Sequence, residues 1–424
     1  MFRKLQPFAL LAFLTFSQTA IADDLLIDGV PLPSDAAVAA TTPGSAFQRW
    51  GGVWVGAWDG RSPKHILLVE SVSEGGSARV VYAIGDNPRA GRPRRWLRLE
   101  GIATGRTLEV TGKGFSATYE MAEDGGLKAR FEGGNNVLSA TMTKADFTSL
   151  AKPDAVVAWA RGSYEFLQTD LTEDGKPVRL EVVIFRPPGA GPFPLAVINH
   201  GSTGGGVNPS VFTETWFAAA LADFLNDRGW IVAFPQRRGR GKSDGLYDEG
   251  FAENRRLGYT GDTYTTFRGA DRALSDIDAA ITALRRRQDV APTPILLGGN
   301  SRGGVLSIAY AGLHPEQVAG VINFVGGWLG EGHPTGGTVN QLLFMRGASY
   351  GRPTIWLYGQ HDKFYSIAHS RKNFAAFEKA GGKGQFLEFE MPLGQGHYVI
   401  ARPNLWTGPL DSYLSSLPAS DKNQ

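Results

Sequence analysis

Ten residues, Ile295–Gly304, constrain this chain more than any others: Ile-Leu-Leu-Gly-Gly-Asn-Ser-Arg-Gly-Gly. An apolar run suited to a buried strand stops at Gly298-Gly299, Ser301 follows two residues later, and the small-residue stretch Val305–Ala311 continues with helical character. Strand, tight turn and helix at this spacing form a nucleophile elbow, G-x-S-x-G, here Gly299-Asn300-Ser301-Arg302-Gly303. The flanking positions of such a turn have no room for side chains, and its strain pushes the serine hydroxyl outward. The rest of the chain is then expected to supply a base, an acid to orient it and donors for an oxyanion.

The 424 residues suffice for two domains, and 42% hydrophobic with 20% charged residues is ordinary globular composition. Arg3 and Lys4 precede the apolar run Phe8–Phe16, and Ala20-Ile21-Ala22 precedes Asp23-Asp24. This pattern predicts a secretory signal peptide over residues 1–22, with an uncleaved membrane anchor as the alternative. Cleavage would leave 41 basic against 41 acidic residues. A neutral balance gives no reason to expect a nucleic-acid or anionic-membrane partner, and no stable membrane insertion is expected after cleavage. The location predicted is periplasmic or secreted. The sequence has no cysteine, which excludes disulfides, thiolate catalysis and cysteine-ligated zinc.

Residues 23–48, rich in Ala, Thr, Pro and Ser, read as a linker. Across 49–145, eight short alternating runs separated by Gly, Asp and Asn predict an antiparallel meander closed as a small all-β barrel or sandwich. Residues 146–178 read as a connector. Over 179–418, strands alternate with helical stretches such as Phe212–Asn226 and Arg268–Arg287, which predicts an α/β domain with a mostly parallel sheet and helices on both faces. Residues 419–424 read as a flexible tail.

Catalytic residues of such sheets lie beyond the carboxyl ends of strands. Asp362 follows the predicted strand Thr354–Tyr358, and His397 follows the last strand in Gly394-Gln395-Gly396-His397. Of seven histidines, His397 alone combines a place after Asp362 with a loop able to bend toward Ser301. The expected roles are Ser301 as nucleophile, His397 as base and Asp362 as the acid that orients it. The alternative for Asp362 is a helix N-cap. Oxyanion donors are expected from the backbone N–H of Arg302 and from that of Ser202 or a neighbour in the segment 200–204. A second match to G-x-S-x-G, around Ser243, lacks the following apolar helix and is set aside. His200 suits packing beneath the oxyanion loop, and Arg237, Arg238 and Arg240 suit a structural ion-pair loop. Trp328 is a candidate for substrate contact, and Tyr247 and Tyr259 belong to an aromatic stretch that is either a pocket wall or core.

These residues, with His200-Gly201 and Arg238–Gly245, make residues of about 179–417 resemble an α/β-hydrolase of the dienelactone hydrolase and prolyl-oligopeptidase-like branches. The region opening at Gly51 loosely resembles lipocalin-like β domains. The first resemblance implies a Ser-His-Asp hydrolase using no cofactor and no metal. Dienelactone hydrolases use a cysteine nucleophile, which this chain lacks, so their substrate does not carry over. The expected activity is ester hydrolysis through an acyl-enzyme on a small-molecule ester or peptide substrate. The alternatives are a serine peptidase and an inactive envelope binding protein.

Overall fold

The computed structural model describes residues 24–38, 47–58, 63–87, 92–123, 125–134, 136–151 and 162–417. The predicted signal peptide and the tail lie outside them, as do residues 39–46 of the predicted linker and 152–161 of the connector. The chain divides into an N-terminal unit and a C-terminal unit, with the division in the sequence near residue 160.

The N-terminal unit begins with a hairpin, β1 (Leu25–Ile27) and β2 (Val30–Leu32), inside the segment read as linker. Eight strands follow: β3 (Gly52–Ala57), β4 (Lys64–Val72), β5 (Ser77–Ile84), β6 (Arg95–Thr104), β7 (Thr107–Gly112), β8 (Phe115–Met121), β9 (Leu127–Gly133) and β10 (Asn136–Ala145). Each pairs antiparallel with the next, and β10 pairs with β3, closing a barrel rather than a sandwich. Strand alternation assigns the side chains. On β4, His65, Leu67 and Val69 point to one face, where Leu67 and Val69 join Trp54, Tyr82, Val110 and Tyr119 in a cluster fed by all eight strands. Ile66 and Leu68 point the other way and pack with Ile27, Val30 and Leu32 of the hairpin and Leu150 of a short helix, α1 (Phe147–Leu150). The hairpin was illegible because its three apolar anchors sit in a polar, proline-containing stretch too short for periodicity.

The C-terminal unit starts earlier than residue 179. Strand β11 (Ser163–Glu173), within the segment read as connector, is the edge of the sheet and pairs with β12 (Lys176–Phe185). The chain continues through β13 (Leu195–Asn199), α2 (Ala219–Asn226), β14 (Ile231–Pro235), α3 (Thr263–Arg285), β15 (Ile295–Asn300), α4 (Arg302–Leu313) and β16 (Val318–Phe324). It ends with α5 (Gly336–Met345), β17 (Pro353–Gly359), α6 (Ile367–Lys379), β18 (Lys383–Phe389) and α7 (Pro403–Ser416). The strand order is β11-β12-β14-β13-β15-β16-β17-β18; β11, β12 and β14 pair antiparallel and the rest parallel. Helices α2 and α7 pack together, with Phe224 edge-on to Trp406 at 5.5 Å, while α3, α4, α5 and α6 pack in succession over the opposite face.

Two helix starts have local causes. Asp262 caps α3 by accepting the Thr265 N–H at 2.7 Å, so the helix begins five residues before the predicted Arg268. Helix α2 begins at Ala219 instead of Phe212 because the Gln236 side chain clamps Trp216 outside the helix, accepting its N–H at 2.8 Å and donating to its carbonyl at 2.7 Å.

Candidate active site

Ser301 lies between β15 and α4 with φ 56° and ψ −121°, a conformation costly for any residue with a side chain. Hydrogen bonds over-determine it. Its N–H donates to Phe324 O at 2.9 Å, and its carbonyl accepts from Gly304 N at 2.9 Å and Gly327 N at 3.2 Å. The glycine at 303 is required by the approach of β13: a Cβ there would lie 2.0 Å from Asn199 O. Gly201 is also approached closely, its Cβ position lying 3.0 Å from Ser301 Cβ, so the loop after β13 runs directly beside the serine.

Register places the other groups. Asn199 of β13 sits opposite Gly299 of β15, bringing residues 200–203 beside the elbow. Gly359 at the end of β17 sits opposite Phe389 at the end of β18, so the loops carrying Asp362 and His397 leave the sheet together. His397 Nδ1–H donates to Asp362 Oδ2 at 2.8 Å, and the Asp362 side chain is fully buried. The second carboxylate oxygen accepts the N–H of Phe364 at 2.7 Å and of Tyr365 at 3.3 Å. Asp362 therefore shapes a turn as well as pairing with His397, and the cap of α6 is Ser366. With Nδ1 donating, His397 Nε2 is left as an acceptor.

Arg302 opens α4, so its N–H has no intrahelical acceptor. Its guanidinium is buried, donating to Trp328 O at 3.1 Å and Glu249 O at 2.8 Å, with its carbon 3.8 Å from the Tyr259 ring centroid and 4.2 Å from that of Trp328. Trp328 is thus packed behind Arg302, only 2% exposed, and what it touches is the arginine rather than an open surface. In the loop after β13, the Thr203 N–H donates to Tyr259 Oη at 3.2 Å, Tyr259 and Tyr247 hydroxyls meet at 2.6 Å, and Tyr247 donates to Glu249 at 3.1 Å. Ser202 sits between this tethered residue and Gly201, partly exposed.

Glu249 collects the charges. It lies 2.6 Å from Arg237 and 3.3 Å from Arg302, all three buried. Burial pushes its pKa up, but Arg237 and Arg302 outweigh burial and hold it below the ordinary value. Arg237 also donates to His200 O at 3.0 Å, and its N–H to His200 Nε2 at 3.0 Å, so His200 is a packing residue under the loop. Arg238 pairs with Asp276 at 2.6 Å, as an ion-pair loop predicts. Ser243 donates to Gln236 O at 2.6 Å and accepts the Glu181 N–H at 2.8 Å, which commits its hydroxyl to backbone.

Two residues here escaped the sequence. Glu249 is one acid among many in a loop, and only its burial between two arginines marks it. Tyr365 looks like an ordinary aromatic before a helix, yet its N–H bonds Asp362, its ring lies 5.7 Å from that of His397, and its phenol feels Ser301. Its position three residues past Asp362 was the one available signal.

A mostly parallel sheet with a left-handed serine between its central strand and helix, and an aspartate–histidine pair beyond two later strands, is the α/β-hydrolase fold. The C-terminal unit has this fold, and an N-terminal β domain precedes it in the chain. Residues 212–379 match the family model Hydrolase_4, described as serine aminopeptidase, S33. Among solved structures it is similar to ferulic-acid-bound Est1E from Butyrivibrio proteoclasticus, at 17% identity over 59% of this chain and 98% of that one, TM-score 0.42. It is similar to the esterase Pf2001 from Pyrococcus furiosus, at 13% identity over 60% and 90%, TM-score 0.42. A prolyl endopeptidase aligns at 17% identity over 85% of this chain and 51% of that one, TM-score 0.40. The comparison with curated proteins gives no match.

Proposed function

We propose that this protein is an exported carboxylic ester hydrolase working through an acyl-enzyme on Ser301. The observation that carries the reading is the 2.8 Å bond from His397 Nδ1 to buried Asp362, which fixes the imidazole tautomer with Nε2 free to accept a proton. Ser301 Oγ attacks the ester carbonyl carbon as its proton passes to His397 Nε2, and the carbonyl π electrons move onto oxygen. The N–H groups of Arg302 and Ser202 receive that oxyanion; the neighbouring Thr203 N–H is already given to Tyr259 Oη. The imidazolium protonates the departing alkoxide, leaving acyl-Ser301. Water then attacks, His397 takes its proton, and the same proton returns to Ser301 Oγ as the carboxylic acid leaves. Export rests on the charged, apolar and A-x-A pattern of residues 1–22.

The match to a serine aminopeptidase family supports a second reading with the same mechanism and an amide substrate. The test is fluorophosphonate labelling of the mature protein with peptide mapping, followed by turnover of matched p-nitrophenyl esters and aminoacyl anilides. Adduct on Ser301 with esters far ahead supports the ester reading. Anilides turned over comparably shift it to peptidase, and a folded protein that takes no label is the binding protein instead.

A further inference from the structure

Tyr365 meets all three members of the proposed triad, Ser301, His397 and Asp362. Its backbone N–H donates to Asp362 Oδ1 at 3.3 Å, the carboxylate oxygen that His397 leaves free. Its ring lies 5.7 Å from that of His397 and rests on Gly327, where a Cβ would come within 2.5 Å of the Tyr365 ring carbon bearing the hydroxyl. Gly327 is the residue whose N–H grips the Ser301 carbonyl. The side chain is 3% exposed, and Ser301 pulls its phenol pKa down against the larger effect of burial. Backbone turn and ring packing are therefore fixed independently, and the phenol carbon lies against the glycine that grips the Ser301 carbonyl.

We propose that Tyr365 is a catalytic residue whose phenol donates a hydrogen bond to Ser301 Oγ and stabilises that oxygen as the leaving group when the acyl-enzyme breaks down. In that step the carbon–Oγ bond of the tetrahedral adduct breaks, its electron pair goes to Oγ, and the imidazolium of His397 delivers the proton. Tyr365 keeps its own proton throughout. Burial raises the phenol pKa above its ordinary value, ahead of the opposing effects of Arg302 and Ser301, so it is a neutral donor across the working range. During attack on the substrate the developing charge sits on the carbonyl oxygen, which the backbone donors hold. Tyr365 is thus expected to matter more for deacylation than for acylation. This rests on the reading of Ser301 as nucleophile.

Tyr365→Phe keeps the ring on Gly327 and removes only the donor. With a p-nitrophenyl ester, stopped-flow and intact-mass measurements are expected to show kcat lowered on the order of 10²-fold, KM lowered with it, a p-nitrophenol burst, and acyl-Ser301 accumulating at steady state. The rate of fluorophosphonate labelling reports a folded site. An unchanged kcat, or kcat and kcat/KM falling equally without an acyl adduct, overturns the inference while leaving Ser301 as nucleophile. Failure of the unsubstituted protein to label at Ser301 overturns the underlying reading itself.

Discussion

Arg302 and Glu249 form a buried ion pair, 3.3 Å between guanidinium and carboxylate, one residue from Ser301. The same carboxylate holds Arg237 at 2.6 Å, and Arg237 in turn holds the His200 carbonyl at 3.0 Å. A single acidic side chain thereby ties the residue after the serine to the loop that runs beside it.

Glu249→Gln leaves both guanidiniums buried with a neutral partner. Breaking a buried pair from one side costs about 3–5 kcal/mol, and urea unfolding of the C-terminal unit is expected to show a loss of that order. Ester kcat should fall in the variant that remains folded, because Arg302 and the 200–203 loop lose their common anchor.

Asp362→Asn offers His397 Nδ1 an amide that can donate as well as accept. The tautomer with Nε2 protonated then becomes favourable, and turnover is expected to fall on the order of 10⁴-fold. Labelling by fluorophosphonate should slow in parallel with melting little changed.

The two serines of G-x-S-x-G type separate cleanly. Ser301→Ala is expected to lower ester turnover by a factor on the order of 10⁴ to 10⁶. Ser243→Ala removes the hydroxyl that serves Gln236 O and Glu181 N, and should cost about 1–3 kcal/mol of stability with turnover nearly intact. Comparable turnover losses from both would sink the assignment of Ser301.

The barrel carries an acid-sensitive group. His65 is wholly buried, bonded to Ala83 O and Tyr119 Oη at 2.8 Å each, and burial lowers its pKa to about 4 against the opposing pull of the Ala83 carbonyl. The unfolded chain protonates the same imidazole near 6.5, so between these values the unfolded state binds more protons. Stability therefore rises with pH over this window and is lost as pH falls from about 6.5 to about 4, by about 3 kcal/mol at the limit. Tryptophan fluorescence of urea unfolding at pH 7 and pH 4 measures this, and His65→Gln should flatten the dependence.

Much of this was legible in the sequence. The eight barrel strands announce themselves by alternation, and the parallel strands by continuous apolar runs such as Leu195–Asn199 and Ile231–Pro235, buried on both faces. The elbow is visible because its glycines are demanded by backbone contact rather than by chance. Edge strand β11 was missed because one face is open: Phe166 is 42% exposed and most residues of the strand are polar, so it resembles a linker. The clamp of Gln236 on Trp216, the convergence on Glu249 and the reach of Tyr365 depend on side chains far apart in the chain, and no local pattern encodes them.

The guanidinium of Arg302 lies over the rings of both Tyr259 and Trp328 and pairs with Glu249. In laboratory evolution this makes the position after the serine a poor place to begin. Any shorter or uncharged residue there would take one of two guanidiniums from a buried carboxylate and leave two rings facing a void, so improvement requires several coordinated changes whose single steps are each harmful. Selection for altered activity is channelled instead to positions outside the stack, such as the exposed Phe364 beside His397, where one substitution alters the approach to the site without unseating its frame.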